Sequence, residues 1–146
     1  MARETGKYVT KKIHVTPFGI NTKVFYSYKS ESIFSDNEII IGTIKTLEEK
    51  YGIEYLINAF YKVKMRNPSI PLKLLIVGGG TLEFYLKKLV KDLKIDNAVY
   101  FTGRIDYKKV PTYHNMIDIY VALSILDSES FGVAIVEAQA CEKPVV

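Results

Sequence analysis

Apolar runs alternate with helix-like apolar periods along most of the chain. The runs are short, lack polar alternation and resemble strands covered on both faces; they occupy residues 38–42, 72–77, 98–101 and 118–123. Between them, apolar residues recur every three or four positions, which predicts helices near residues 53–66, 82–93, 110–116 and 132–140. Strand and helix alternate throughout, so we predict an α/β fold with an open parallel sheet and helices on both faces.

The two ends of the chain depart from this pattern. Residues 1–12 are polar, and we expect a linker or the tail of a preceding domain; residues 13–16 predict a short strand stopped by a proline. Residues 26–37 predict a polar loop. The last three residues, Pro144-Val145-Val146, have the composition of the start of another strand. We therefore expect one domain over residues 13–146, incomplete at its C-terminal end.

Charge and composition exclude several classes of protein. The net charge of +4 is spread along the chain without a basic run among aromatic residues, so no nucleic acid partner is expected. The single cysteine, Cys141, excludes an internal disulfide and is predicted to be a small buried apolar residue. No secretory signal begins the chain, and no stretch reaches the ~18 apolar residues that span a bilayer. We expect a cytoplasmic protein, with peripheral contact at the inner face of the membrane left open.

Ligands of open parallel sheets bind beyond the carboxyl ends of the strands, so the loops there carry the candidate chemistry. The loop after the first strand, residues 42–52, holds Lys45 and Lys50, which are placed to reach one anion beside a helix N-terminus. The alternative is that both lysines are solvated surface groups. The loop after the second strand, Gly78-Gly79-Gly80, lacks the spacing of a dinucleotide-binding motif and indicates a cramped strand-to-helix turn.

The loop after the fourth strand is the richest in functional groups. Glu129 and Glu137 are eight residues apart, slightly over two helical turns, so both can face one cleft. Ser130 is a candidate helix cap, and Gly132 permits close approach of a ligand to the backbone. In the alternative, Glu129 is a favourable charge at a helix start and Glu137 a surface residue. However, the helix is apolar on most sides, which predicts a partner or a ligand for Glu137.

The two histidines give no metal-ligand spacing. Neither His14 nor His114 has another histidine, cysteine or carboxylate at a suitable interval, and no nucleophile motif is present. We predict that both are structural.

Taken together, these segments resemble the C-terminal, nucleotide-sugar-binding domain of retaining GT-B glycosyltransferases of the group 1 type, which has a Rossmann-like sheet. The two-glutamate segment at residues 129–146 is similar to that family's signature. Residues 15–21, 75–80 and 101–104 are similar to its other recurring segments, in the same order. The resemblance spans residues 13–146.

The resemblance implies a role for each matching residue. Glu129 would bind hydroxyls of the donor sugar and Glu137 the ribose, while Lys45 and Lys50 would bind the diphosphate. Arg104 and its neighbour would border the nucleobase. The further substrate-binding positions that it implies are Gly19, Gly42, Thr43, Ile105, Ser130, Phe131, Gly132 and Val133.

Three positions depart from the family pattern. Lys45 stands where the family has arginine, so it offers a point charge in place of a planar bidentate group. Tyr51 is an additional residue between Lys50 and Gly52. Glu142 replaces a glycine, and a turn that needs positive φ would be strained there.

The resemblance further implies an enzyme that moves a hexosyl unit from a UDP- or GDP-sugar to a glycan or lipid-linked acceptor. Such enzymes serve polysaccharide, lipopolysaccharide or glycolipid synthesis, and a preceding domain binds the acceptor. We expect no metal or other cofactor, since the nucleotide-sugar is the substrate, and donor binding without transfer by this polypeptide alone. The alternatives are a nucleotide-sensing domain and a GT-B nucleotide-sugar epimerase.

Overall fold

The computed structural model describes residues 7–12, 14, 19–125 and 132–146 of the chain. Its strands are β1 (Ile39–Ile44), β2 (Leu72–Val77), β3 (Val99–Phe101) and β4 (Ile119–Tyr120). They form one parallel sheet in the order β3-β2-β1-β4. The predicted open parallel sheet is therefore confirmed.

Within the described residues, four helices connect or follow these strands. They are α1 (Ile53–Arg66), α2 (Glu83–Asp92), α3 (Val110–Met116) and α4 (Val133–Ala140). Short 3-10 turns at Glu49–Tyr51 and Tyr107–Lys109 precede α1 and α3. The positions of all four helices agree with the sequence prediction to within about two residues at either end. No helix in the described ranges has the length and apolar content that crossing a membrane requires.

The sheet is covered on both faces, because alternate residues of β2 enter two different cores. On one face, Leu74 and Ile76 pack in a cluster that includes buried residues of α1 and α2. On the other face, Leu75 and Val77 pack with β4 and α4, where Ala138 is fully buried. This double burial is why residues 74–77 of β2 are all apolar, with no polar residue alternating among them.

Two predictions about loops and strand ends need adjustment. Residues 26–37 contain neither helix nor strand, as predicted, but Phe34 is buried against the second core. β4 is shorter than the predicted 118–123, since regular pairing with β1 covers only two residues. The strand predicted at 13–16 lies outside the described residues apart from His14.

The last residues of the chain extend the sheet beyond β4. The amide of Tyr120 donates to the carbonyl of Pro144, and the amide of Val146 donates to the carbonyl of Tyr120, each at 2.9 Å. Tyr120 and Val145 form a parallel bridge. Residues 144–146 thus pair with β4 through one isolated bridge, and the start of a further strand there stays a prediction.

Candidate functional site

A cleft of about 320 Å³ lies at the carboxyl ends of β1, β2 and β3. We call it the carboxyl-end cleft; its lining residues are Ile44, Lys45, Thr46, Val77, Gly78, Gly79, Arg104, Ile105, Tyr107 and Val110. A larger groove of about 370 Å³ runs along α2 and the edge strand β3, but it contains none of the predicted site residues. The carboxyl-end cleft occupies the position where this sheet architecture binds ligands.

Backbone hydrogen bonds join the loops that surround this cleft. The amide of Lys45 donates to the carbonyl of Val77 at 3.0 Å, and the amide of Leu47 donates to the carbonyl of Gly79 at 3.1 Å. The amide of Gly78 donates to the carbonyl of Gly103 at 3.2 Å. The loops after β1, β2 and β3 are thus fixed to one another, which holds the side chains that they carry in a defined arrangement.

The glycine triplet at residues 78–80 allows the loops after β1 and β2 to approach each other closely. A Cβ atom on Gly78 would lie 2.0 Å from the carbonyl oxygen of Lys45, and one on Gly80 would lie 2.5 Å from that of Leu47. Gly78 also has φ +131°. The prediction of a cramped strand-to-helix turn is confirmed, because two of the three glycines make room for protein backbone.

Both predicted phosphate-binding lysines lie beside one aromatic ring. Lys45 Nζ is 4.8 Å and Lys50 Nζ is 4.9 Å from the centroid of Tyr51. The distance between the two ammonium nitrogens is therefore at most 9.7 Å, which is 4.8 Å plus 4.9 Å. Tyr51 belongs to the 3-10 turn before α1 and packs on the core of that face. The additional residue therefore places its aromatic ring next to both cations.

The loop after β4 begins next to this lysine pair. The amide of Ile125 donates to the carbonyl of Lys50 at 2.9 Å. Gly52 has φ +59°, and a Cβ atom there would lie 2.5 Å from the carbonyl oxygen of Leu123. Glycine at position 52 thus allows the chain leaving β4 to pass against the β1–α1 loop.

Glu137 is buried and has two protein partners. Its carboxylate is on α4, and the residue is only 4% exposed. Oε1 accepts a hydrogen bond from the Tyr107 hydroxyl at 2.9 Å, and Oε2 lies 3.5 Å from Nε2 of His114. Desolvation and the hydrogen bond to the Glu137 carboxylate both raise the pKa of Tyr107. The alternative of a surface Glu137 is wrong, and the expected partner is present.

The family follows from comparison with known proteins. The model of the family "Glycosyl transferases group 1" matches residues 26–146. The chain belongs to this glycosyltransferase family. It is 31% identical over 142 residues to the D-inositol 3-phosphate glycosyltransferase of Pseudarthrobacter chlorophenolicus, covering 92% of this chain and 33% of the relative. The chain thus spans about a third of the length of that relative.

Solved glycosyltransferase structures share the fold. The C-terminal domain of a glycosyl transferase group 1 family protein from Francisella tularensis has a TM-score of 0.72 at 23% identity, covering 87% of this chain and 69% of that domain. A pneumococcal O-GlcNAc transferase in complex with UDP and GlcNAc has a TM-score of 0.73 at 20% identity, covering 98% of this chain and 26% of that one. These similarities assign the glycosyltransferase chain a GT-B C-terminal-domain fold.

The structure brings some of the predicted site residues of this family member together. Lys45, Arg104 and Ile105 line the carboxyl-end cleft, and Lys50 joins Lys45 through the Tyr51 ring. Glu137 reaches the cleft through the Tyr107 hydroxyl.

Other predicted positions lie apart from the cleft wall. Gly42 is buried within β1, where a Cβ atom would lie 2.6 Å from Cγ1 of Ile117, so packing explains this glycine. Thr43 is buried in the same strand, and Gly19 is exposed with no atom within 4 Å of a Cβ atom built on it.

The N-cap of α4 differs from the one that the sequence predicts. Gly132, with φ +70°, is the N-cap and Val133 is the first helical residue. Gly132, rather than the predicted Ser130, is therefore the N-cap of this helix, and the expectation that Glu129 and Glu137 face one cleft stays a prediction. Glu129, Ser130 and Phe131 lie outside the described residues. Val133 is exposed at the first turn.

Sequence reasoning missed two residues near the cleft, Tyr107 and His114. Both contact Glu137, yet they precede it by 30 and 23 positions and lie in different elements. A search for ligand spacing within one segment does not detect such a cluster. The buried carboxylate predicted on α4 was the one signal that partners had to exist.

Proposed function

We propose that this chain is the donor-binding part of a retaining glycosyltransferase, which moves a hexosyl unit from a nucleoside diphosphate sugar to a glycan or lipid-linked acceptor. The observation that carries the proposal is the approach of Lys45 and Lys50 to one ring at the carboxyl-end cleft. Arg104 lines the same cleft. Fixed cations at the carboxyl ends of parallel strands suit a diphosphate group.

The chemistry of transfer explains why these cations matter. As the bond from the anomeric carbon to the diphosphate breaks, negative charge develops on the leaving group. Preorganised positive charges lower the barrier because they need no reorganisation at that moment. The two ammonium groups, together with the N-terminus of α1, would supply this stabilisation, so we propose donor binding that does not require a divalent metal.

The carboxylates complete the donor site. Glu137 would accept hydrogen bonds from the ribose hydroxyls, and Glu129 from the donor sugar, with backbone N–H groups of Phe131, Gly132 and Val133 nearby. An acceptor would bind to a separate domain of the whole protein. The UDP and GlcNAc bound to the pneumococcal O-GlcNAc transferase and the name of the Pseudarthrobacter relative support this class of substrate.

Calorimetric titration with UDP and GDP, with and without EDTA, tests donor binding. We expect one nucleotide to bind equally well in both buffers. Lys45→Gln and Lys50→Gln should each weaken binding about tenfold, as loss of a charge-assisted contact does, and Lys88→Gln on the exposed surface of α2 is the matched control. A requirement for Mg²⁺ or Mn²⁺, or equal effects of all three substitutions, would refute the proposed site.

Product analysis of the whole protein tests the reaction. A new glycosidic bond with the anomeric configuration of the donor supports retaining transfer, and its loss in Glu129→Ala supports the role of that carboxylate. A free sugar epimer as the product would instead favour the epimerase.

A further inference from the structure

The carboxylate of Glu137 is enclosed by two partners of opposite character. His114 is fully buried, while Tyr107 is 64% exposed. Phe25, itself buried, contacts both rings at centroid distances of 6.0 Å. One partner is therefore fixed in the core and the other stands at the surface of the carboxyl-end cleft.

His114 has a specific reason to face this carboxylate. Neither of its ring nitrogens has a hydrogen-bond partner within the described residues, although Nε2 lies 3.5 Å from Oε2 of Glu137. The ring is packed against Phe25 and lies 5.4 Å from the ring of Tyr120. Burying a carboxylate without a partner is costly, and a neighbouring ring that carries an N–H donor offsets part of that cost. The contacts with Phe25 and Tyr120 hold the His114 ring beside Glu137.

Tyr107 is held much less firmly. It begins a three-residue 3-10 turn capped by Asp106, and the hydrogen bond to Glu137 is its described polar contact. The Tyr107 hydroxyl, which donates to Oε1 at 2.9 Å, occupies an acceptor site of Glu137 on the side of the carboxyl-end cleft, the kind of site that a ribose hydroxyl would use. Because most of the Tyr107 side chain is exposed, it can rotate away at little packing cost.

We propose that Tyr107 is an exchangeable stand-in for a ribose hydroxyl on Glu137, and that His114 is the positioning residue that keeps the carboxylate aimed at the cleft. The inference rests on the proposed donor site and adds to it the means by which the ribose gains access to a buried carboxylate. Binding of a ribonucleotide replaces the Tyr107–Glu137 hydrogen bond with a ribose–Glu137 hydrogen bond. The Glu137–His114 contact persists in both states.

Two substitutions should change ribose recognition in opposite directions. Tyr107→Phe keeps the ring and removes the competing donor, so affinity for UDP should rise about threefold to tenfold. His114→Leu removes the fixed partner, so affinity for UDP should fall about tenfold, and His114→Gln, which retains an N–H donor, should recover part of the loss. Both changes should disappear with 2′,3′-dideoxy-UDP, which has no ribose diol.

Calorimetric titration with UDP and with 2′,3′-dideoxy-UDP tests the exchange. It is carried out on the wild type, Tyr107→Phe, His114→Leu and His114→Gln. Opposite changes confined to UDP support the exchange. Weaker UDP binding by Tyr107→Phe, or equal changes for both nucleotides, would overturn it. If the wild type binds the two nucleotides with equal affinity, the exchange is overturned but the proposed diphosphate site is not. If the wild type binds neither nucleotide, the proposed function itself is overturned.

Melting temperatures provide a test that needs no nucleotide. His114→Leu and Glu137→Leu should each lower the melting temperature, and the double variant should lose clearly less than the two losses combined, because the residues act as a pair. Strictly additive losses would overturn the positioning role of His114.

Discussion

Lys45 places its ammonium nitrogen 4.8 Å from the centre of the Tyr51 ring, and Lys50 approaches the same ring at 4.9 Å. An aromatic face attracts each cation and so offsets part of their mutual repulsion. Tyr51 is therefore expected to organise the two charges before a diphosphate arrives.

Replacement of Tyr51 by leucine should weaken UDP binding about fivefold, the loss expected from two cation–π contacts of about 0.5 kcal/mol each. Tyr51→Phe keeps the aromatic face and should bind UDP like the wild type. Calorimetry on the two variants measures the difference. If phenylalanine and leucine weaken binding to the same extent, the hydroxyl rather than the ring is responsible.

Gly78 should tolerate no side chain. Gly78→Ala would bring a Cβ atom against the Lys45 carbonyl at φ +131°, and we expect a loss of about 3 kcal/mol of unfolding free energy. Gly103 is the matched control, since it has φ +66° but no atom within 4 Å of a Cβ position. Gly103→Ala should therefore cost only the conformational strain, about 1–2 kcal/mol. Urea unfolding gives both values, and a larger loss at Gly103 would contradict the argument.

Glu142, which follows α4, has a strained backbone conformation. Its φ is +59°, in agreement with the positive φ expected from the sequence, and the Lys143 amide closes the turn on the Ala138 carbonyl at 3.0 Å. Glu142→Gly should raise the unfolding free energy by about 1 kcal/mol. Glu142→Ala removes the charge but keeps the Cβ atom, so it should give no comparable gain. Chemical denaturation of the two variants separates relief of strain from loss of charge.

Cys141 should resist alkylation. It is fully buried, and burial raises the pKa of its thiol, so the reactive thiolate is scarce at neutral and mildly alkaline pH. Mass spectrometry after treatment with iodoacetamide at pH 8 should find the folded protein almost unmodified and the urea-unfolded protein fully modified. Rapid labelling of the folded protein would show that this region opens readily.

The sequence was sufficient to predict the elements that packing dictates. β2 was predictable from its apolar residues alone, four of which are consecutive at 74–77, because both faces of that strand are buried. α3 was located correctly from the apolar residues that recur within it and from the predicted strands on either side. Such features depend on neighbours in sequence.

What the sequence did not reveal depends on contacts between distant segments. The left-handed conformation of Gly132 moves the start of α4, and nothing in the local composition distinguishes Gly132 from an ordinary helical glycine. The approach of Tyr107 and His114 to Glu137 joins three separate elements. Tyr51 was recognised as an additional residue, but only folding brings its ring beside the two lysines.

The hydrogen bonds among the loops after β1, β2 and β3 mean that the conformational entropy of these loops is already lost in the folded protein. Binding of a nucleotide there therefore orders little additional backbone, which keeps the entropic cost of binding small. We therefore expect that exchange of the side chain at Arg104, which would border the nucleobase, can alter donor preference while the loop that carries it keeps its shape.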